Sequence, residues 1–258
     1  MITTTINLHL IGEKIRYLST DHHGNFIAIT SQNRIVSSAL EVPLELRLDI
    51  EIVKIINEEK ILIVLGNSDL IENALIIDYQ GNIQVQFSIG IYINDIIING
   101  KKIIVSYYDQ GVMGSNGPNN DALAVFNLKG QQVFGFNSST LEDQLIDCYC
   151  TANLGNNKIV FYGYGNFSLQ ELDLNTLKLI VHETPPQCIG ATSLSTKADN
   201  LIFHSTYKDK TSFFVWNLQS NHVNQIPSEF KNINATDHGM FYKIDEKSFI
   251  LIAPLHYI

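Results

Sequence analysis

Three observations predict an all-β chain: an excess of β-branched Ile, short apolar runs bounded by turn residues, and a unit that returns every 44 to 49 residues. The 258 residues include 36 Ile and 25 Asn. Ile suits a pleated surface and is stiff in a helix, while Asn tolerates left-handed turn backbones. Apolar runs of strand length occupy residues 26–30, 61–65, 103–108, 159–164, 201–207 and 240–244, each bounded by Gly, Asn, Asp or Lys. No amphipathic run carries helix caps at both ends, so many short strands separated by turns are expected.

The returning unit is an apolar strand, then Asp or Asn, then a tight turn. It ends in Asp78, Asn127, Asp173 and Asn217, which are 49, 46 and 44 residues apart. Asp and Asn suit that position because a side-chain oxygen can accept hydrogen bonds from the turn's own backbone. Gly81 and Gly130 supply the positive φ a tight turn needs. A period of 40–50 residues with four strands per unit is the signature of a β-propeller. At this level the chain resembles propeller proteins generally, WD40-like ones included. The six apolar runs, read as second strands, predict six four-stranded blades in a single domain over residues 1–258, with five or seven as the alternatives. The last unit has only three strands and ends at residues 248–253. Residues 3–10 alternate apolar Ile6, Leu8 and Leu10 with polar Asn7 and His9, and are expected to close the ring as its fourth strand. The first blade departs from the plan, lacking the Asp/Asn turn around Glu41, Val42 and Pro43.

Composition removes several classes. A net charge of −9 argues against a phosphate-backbone binder, so no direct nucleic-acid partner is expected. The chain lacks an apolar run long enough to span a membrane and a basic, apolar leader at its start. Three cysteines make no disulfide framework. A cytoplasmic protein without a cofactor is expected.

Strand alternation sorts loops onto two faces. Second-to-third loops share one rim with the blade-to-blade connectors, here called the connector face. The sequence assignment places eleven carboxylates and four basic residues there, and seven of each on the opposite face. Such a field would steer a basic protein partner. The longest loop, residues 110–120, falls on that face and is read as an insertion without structure of its own, with the connector of residues 138–144 beside it. The expected partner-binding residues are Asp109, Met113, Asn116, Asn119, Asp121, Leu141, Glu142 and Asp143, with Met113 and Leu141 as apolar anchors. Residues 111–114, 122–126, 135–138 and 146–149 resemble a segment of small, largely uncharacterised bacterial propeller proteins. That resemblance implies no catalytic residue.

Other candidates have simpler readings. Asp95 and Asp147 are expected near innermost strands at the channel mouth, where a ring of acids can hold a cation or cap backbone groups. Cys148 and Cys150, two apart, are placed on one strand face and read as small buried hydrophobes. His22, His23 and His238, beside Asp21 and Asp237, read as two similar Asp-capped turns without a metal. Tyr107, Tyr108, Tyr162, Tyr164 and Tyr207 read as inter-blade packing. The expectation is a non-enzymatic binding module, in its concrete form a bacterial immunity protein that neutralises a basic toxin domain such as a nuclease, as in contact-dependent growth inhibition. The alternative is a metal-dependent hydrolase or lactonase with Asp95 and Asp147 as ligands.

Overall fold

The computed structural model describes residues 1–40, 43–66, 71–114, 117–139 and 144–255. Its strands form six four-stranded antiparallel sheets. Strand β1 (Ile2–Asn7) precedes the first blade, which holds β2 (Ile15–Thr20), β3 (Phe26–Thr30), β4 (Arg34–Ser37) and β5 (Leu44–Glu45). Blade 2 holds β6 (Ile50–Ile55), β7 (Lys60–Leu65), β8 (Ala74–Asp78) and β9 (Ile83–Phe87). Blade 3 holds β10 (Ile93–Asn99), β11 (Lys102–Tyr107), β12 (Leu123–Asn127) and β13 (Gln132–Gly135). Blade 4 holds β14 (Asp147–Gly155), β15 (Lys158–Tyr164), β16 (Leu169–Asp173) and β17 (Leu179–His182). Blade 5 holds β18 (Ser193–Lys197), β19 (Asn200–His204), β20 (Phe213–Asn217) and β21 (His222–Ile226). Blade 6 holds β22 (Asn234–Ala235), β23 (Phe241–Ile244) and β24 (Ser248–Ala253), and β1 completes it. This is the six-bladed propeller that the repeats predict. The closing pair runs from Ile2 opposite Ala253 to Asn7 opposite Ser248.

Middle strands face a neighbouring blade on both sides, so β7 and β11 read as continuous apolar runs. Outer strands alternate, as in β9, because one side meets solvent. Six apolar clusters fill the six gaps between adjacent blades. The gap between blades 4 and 5, for example, holds Val160, Tyr162, Leu194, Phe203 and Trp216. The repeated turn is built as expected. Asp78 Oδ1 accepts the amides of Gln80 and Asn82, Asn127 Oδ1 those of Lys129 and Gln131, and Asp173 Oδ1 those of Asn175 and Thr176. The Ser220 amide donates to Asn217 Oδ1. Residues 41 and 42 of the divergent first-blade turn lie outside the described residues.

Two expectations change. The two cysteines do not share a face. A β-bulge at Tyr149 breaks the alternation between Cys148 and Cys150, sending Cys148 into the gap with blade 3 and Cys150 into the gap with blade 5. All three cysteines are free and buried, and burial pushes the Cys188 thiol up to about 12. The 110–120 insertion is not structureless. It carries a helical turn α1 (Asp109–Val112) and a 3₁₀ turn at Pro118–Asp121, followed after β13 by a second helical turn α2 (Phe136–Ser139).

Candidate functional site

The innermost strands β2, β6, β10, β14, β18 and β22 surround the axis. Asparagines stitch β10 to β14. Asn94 Nδ2 donates to the carbonyls of Cys148 and Tyr149, Asn99 Nδ2 to Asn153 Oδ1, and Asn153 Nδ2 to the Ile98 carbonyl.

The channel ends differ. The end away from the connectors opens into a cavity of about 250 Å³ lined by Thr20, Lys54, Asp95, Asn153, Thr196 and Tyr242. Asp95 does not join Asp147 in a ring of acids here. It forms an ion pair with Lys54, Nζ to Oδ1 3.0 Å, across the boundary between blades 2 and 3. Burial disfavours the Lys54 charge, but Asp95 holds the ammonium above its usual pKa. To serve as a metal ligand, Asp95 would have to give up this pairing with Lys54.

Asp147 belongs to the connector end. Its Oδ1 is buried, with no hydrogen-bond partner among the described residues. Burial, reinforced by the Asp109 carboxylate, raises its pKa from 3.8 to about 6. Gly163 makes the backbone approach possible, because a Cβ there would stand 2.0 Å from the Asp147 carbonyl oxygen. The bulge turns Tyr149 out of the strand plane towards blade 5, where its hydroxyl is 2.6 Å from that of Tyr207. Phe167 packs edge-on against Tyr149, Tyr164 and Tyr207, with ring centroids 5.5–6.2 Å apart. Gly190 lets the Tyr207 ring settle on the backbone, since a Cβ there would come within 2.2 Å of it. Lys210 Nζ sits 5.8 Å from the same ring.

The tyrosines split into two groups. Tyr107 and Tyr162 are fully buried between blades, as expected. Tyr108 and Tyr164 are exposed on the connector rim, against the packing expectation, while Tyr207 packs across to blade 4 against Tyr149 and Phe167 yet leaves about half its surface exposed on the same rim. Tyr92 and Met113 (68% exposed) are further uncovered apolar surface on that rim.

The predicted contact residues separate too. Asp109 and Met113 reach the rim. Asn119 and Asp121 do not, at 3% and 9% exposure. Asn119 Nδ2 donates to the Gly111 carbonyl at 2.6 Å. Asp121 accepts from Gln132 Nε2 (2.6 Å) and from the Ser138 amide (2.9 Å). Asn119 is turned inward to the backbone of the insertion, and Asp121 to the start of the following connector, while Asn120 and Asn137 also brace the insertion. That bracing sets the start of the 138–144 connector against the insertion. Asn116, Leu141, Glu142 and Asp143 lie outside the described residues.

The charge difference between faces is smaller than the sequence assignment, which omitted Glu13, Lys14, Arg47, Asp49 and Lys231. Among the described residues, connector-face loops hold ten carboxylates and six basic groups, and opposite loops five and three. Arg34, at the start of β4, pairs with the buried Glu13.

The fold defines the chain as a six-bladed β-propeller, and comparison with known proteins agrees that it is a β-propeller. No family model matches the chain, and no curated protein does. Solved propellers match over most of its length. Hsv2 of Kluyveromyces lactis is 12% identical with a TM-score of 0.60, covering 91% of this chain and 71% of that one. The extracellular domain of the one-component system BT4673 of B. thetaiotaomicron is 12% identical with a TM-score of 0.57 over 93% of this chain, which spans 32% of that structure. BamB of Moraxella catarrhalis is 12% identical with a TM-score of 0.53, each chain covered in full. Identity this low shows a shared fold alone. No helix among the described residues is long and apolar enough to cross a membrane.

Proposed function

We propose that the chain is a non-catalytic binding propeller that takes a basic protein on its connector rim. The observation that carries this reading is the meeting of uncovered ring surface at Tyr108, Tyr164 and Tyr207 with the carboxylates of Asp109 and Asp147. Tyrosine faces attract lysine and arginine side chains. An arriving cation would also stabilise the Asp147 charge that burial disfavours. Exposed Met113 adds an apolar contact at the margin. The framework is braced from blade to blade, so docking needs little ordering of this surface.

In its finer form the partner is a toxin domain with a basic, nucleic-acid-binding cleft, and this chain is its immunity protein. An inhibitor of that kind needs a rigid surface of opposite charge, which suits this rim. The resemblance of residues 111–149 to small bacterial propellers is consistent with that role.

The test is co-expression with the product of the neighbouring gene, followed by co-purification and scoring of growth arrest. The expected result is a complex that relieves toxicity. Asp109→Asn with Asp147→Asn should weaken it tenfold or more and flatten its salt dependence. A complex indifferent to those changes and to Tyr164→Ala with Tyr207→Ala would remove the rim from consideration. Catalytic turnover by the isolated chain would remove the non-catalytic reading.

A further inference from the structure

The opposite face carries a second constellation, at the seam where the ring closes. The turn between β2 and β3 belongs to blade 1 and presents His22; the turn between β22 and β23 belongs to blade 6 and presents Asp237 and His238. One ligand atom from each of these three side chains lies within 4.8 Å of the other two. His22 Nδ1 is 3.1 Å from Asp237 Oδ1, and His238 Nε2 is 3.8 Å from Asp237 Oδ2, so each carboxylate oxygen faces a nitrogen of one imidazole. The His22 and His238 ring centroids are 3.9 Å apart.

The surroundings hold this arrangement in place. The His22 amide donates to Asp237 Oδ1 at 2.9 Å, which fixes the carboxylate across the seam. Thr236 Oγ1 donates to the Thr20 carbonyl, tying the two turns together, and Ser195 Oγ donates to the Thr236 carbonyl. Asp21 is occupied within its own turn by the amides of His23 and Asn25. His238 adopts φ +54°, and Gly239 follows at +75°. That tight left-handed pair turns the imidazole back towards blade 1.

We infer that His22, Asp237 and His238 form a site for a divalent transition-metal ion, with Zn²⁺ as the reference, that clasps the first blade to the last. Two imidazoles and one carboxylate are a donor set of borderline softness, suited to Zn²⁺, Co²⁺ or Ni²⁺. Ca²⁺ and Mg²⁺ prefer sites built from oxygen ligands. Three protein ligands leave a fourth tetrahedral position for water. Because the ligands come from two blades, the ion binds the closed ring in preference to an opened one and stabilises it by mass action.

The test uses the full chain without an affinity tag, stripped by chelator and titrated calorimetrically with Zn²⁺, with Co²⁺ absorption reporting geometry. One equivalent should bind, with d–d bands of tetrahedral intensity. Free metal at about a hundred times the dissociation constant should lower the unfolding equilibrium constant about a hundredfold. His238→Asn keeps a residue at home in the left-handed region while removing the imidazole, and His22→Gln removes the other. Each should weaken binding about tenfold or more while leaving the metal-free melting temperature near the parent value. His23→Ala should leave binding intact, although its ring lies 3.8 Å from that of His22. Failure of the parent chain to bind would overturn the inference. So would binding that survives both His22→Gln and His238→Asn, or binding lost with His23→Ala and retained in His238→Asn.

Discussion

Asp147 offers a measurable consequence of burial. Its pKa rises from 3.8 to about 6 in the folded chain, with burial the larger cause and Asp109 the smaller. An acid raised on folding binds its proton more tightly in the native state than in the unfolded one. Stability from this group therefore increases as pH falls through about 6 and levels off below about 4, where both states are protonated. Above pH 6 the folded chain carries an unfavourable charge. A displacement from 3.8 to about 6, at 1.36 kcal/mol per pH unit, corresponds to roughly 3 kcal/mol. The group is only half-buried, and screening by solvent reduces this to about 1–2 kcal/mol. Asp147→Asn should therefore stabilise the protein by about 1–2 kcal/mol at pH 8 and by nearly nothing at pH 4. Urea unfolding of both proteins between pH 4 and 8 measures the difference directly. Taking the difference matters, because Asp209, Asp78 and Asp173 have pKa values lowered by hydrogen bonds from their own turns and lose stability as pH falls. A difference independent of pH, or one that grows towards acid, would refute the assignment of Asp147 as a charge held against its preference.

Other substitutions probe the framework. Gly163→Ala drives a Cβ to 2.0 Å from the Asp147 carbonyl oxygen and 3.0 Å from the Cys148 Cα, and should cost about 3 kcal/mol or more, read as a lower urea midpoint. Asn94→Ala leaves the Cys148 and Tyr149 carbonyls without their cross-blade donor and should cost about 1–3 kcal/mol on the same assay. Removing residues 1–7 uncovers the edge of β24 and should produce concentration-dependent association by light scattering. The three cysteines should resist an aromatic disulfide reagent in the native state and react together on unfolding.

Much of the architecture was legible because it is local. The Asp and Asn of the repeated turns act within four residues of themselves, so one spacing was enough to mark four blades. The alternation of Ile6 and Leu8 with Asn7 likewise pointed to β1 as the closing strand. Contacts between blades leave no such trace. Lys54 and Asp95 are 41 residues apart, and neither position announces the other. Asn94, Asn99 and Asn153 belong to a residue type read as turn-forming, yet they serve as cross-strand donors. The bulge at Tyr149 adds one residue to a period-two pattern, which was enough to send Cys148 and Cys150 opposite ways. Asn119 and Asp121 looked like loop polar groups on an acidic face. Asn119 is drawn in by a carbonyl of the insertion, and Asp121 by the Gln132 side chain and the Ser138 amide, and composition does not encode those demands.

The pairing of β1 with β24 has a bearing on biosynthesis. Strand β1 leaves the ribosome before any of the blades between it and β24, and must wait unpartnered until β24 has been made, with five blades assembling in the interval. Joining segments about 250 positions apart carries a chain-closure entropy that grows only logarithmically with length, so the delay weighs more on speed than on final stability. During that wait two strand edges are open to other nascent chains, and a chaperone that shields them would act on the propeller's most vulnerable stage.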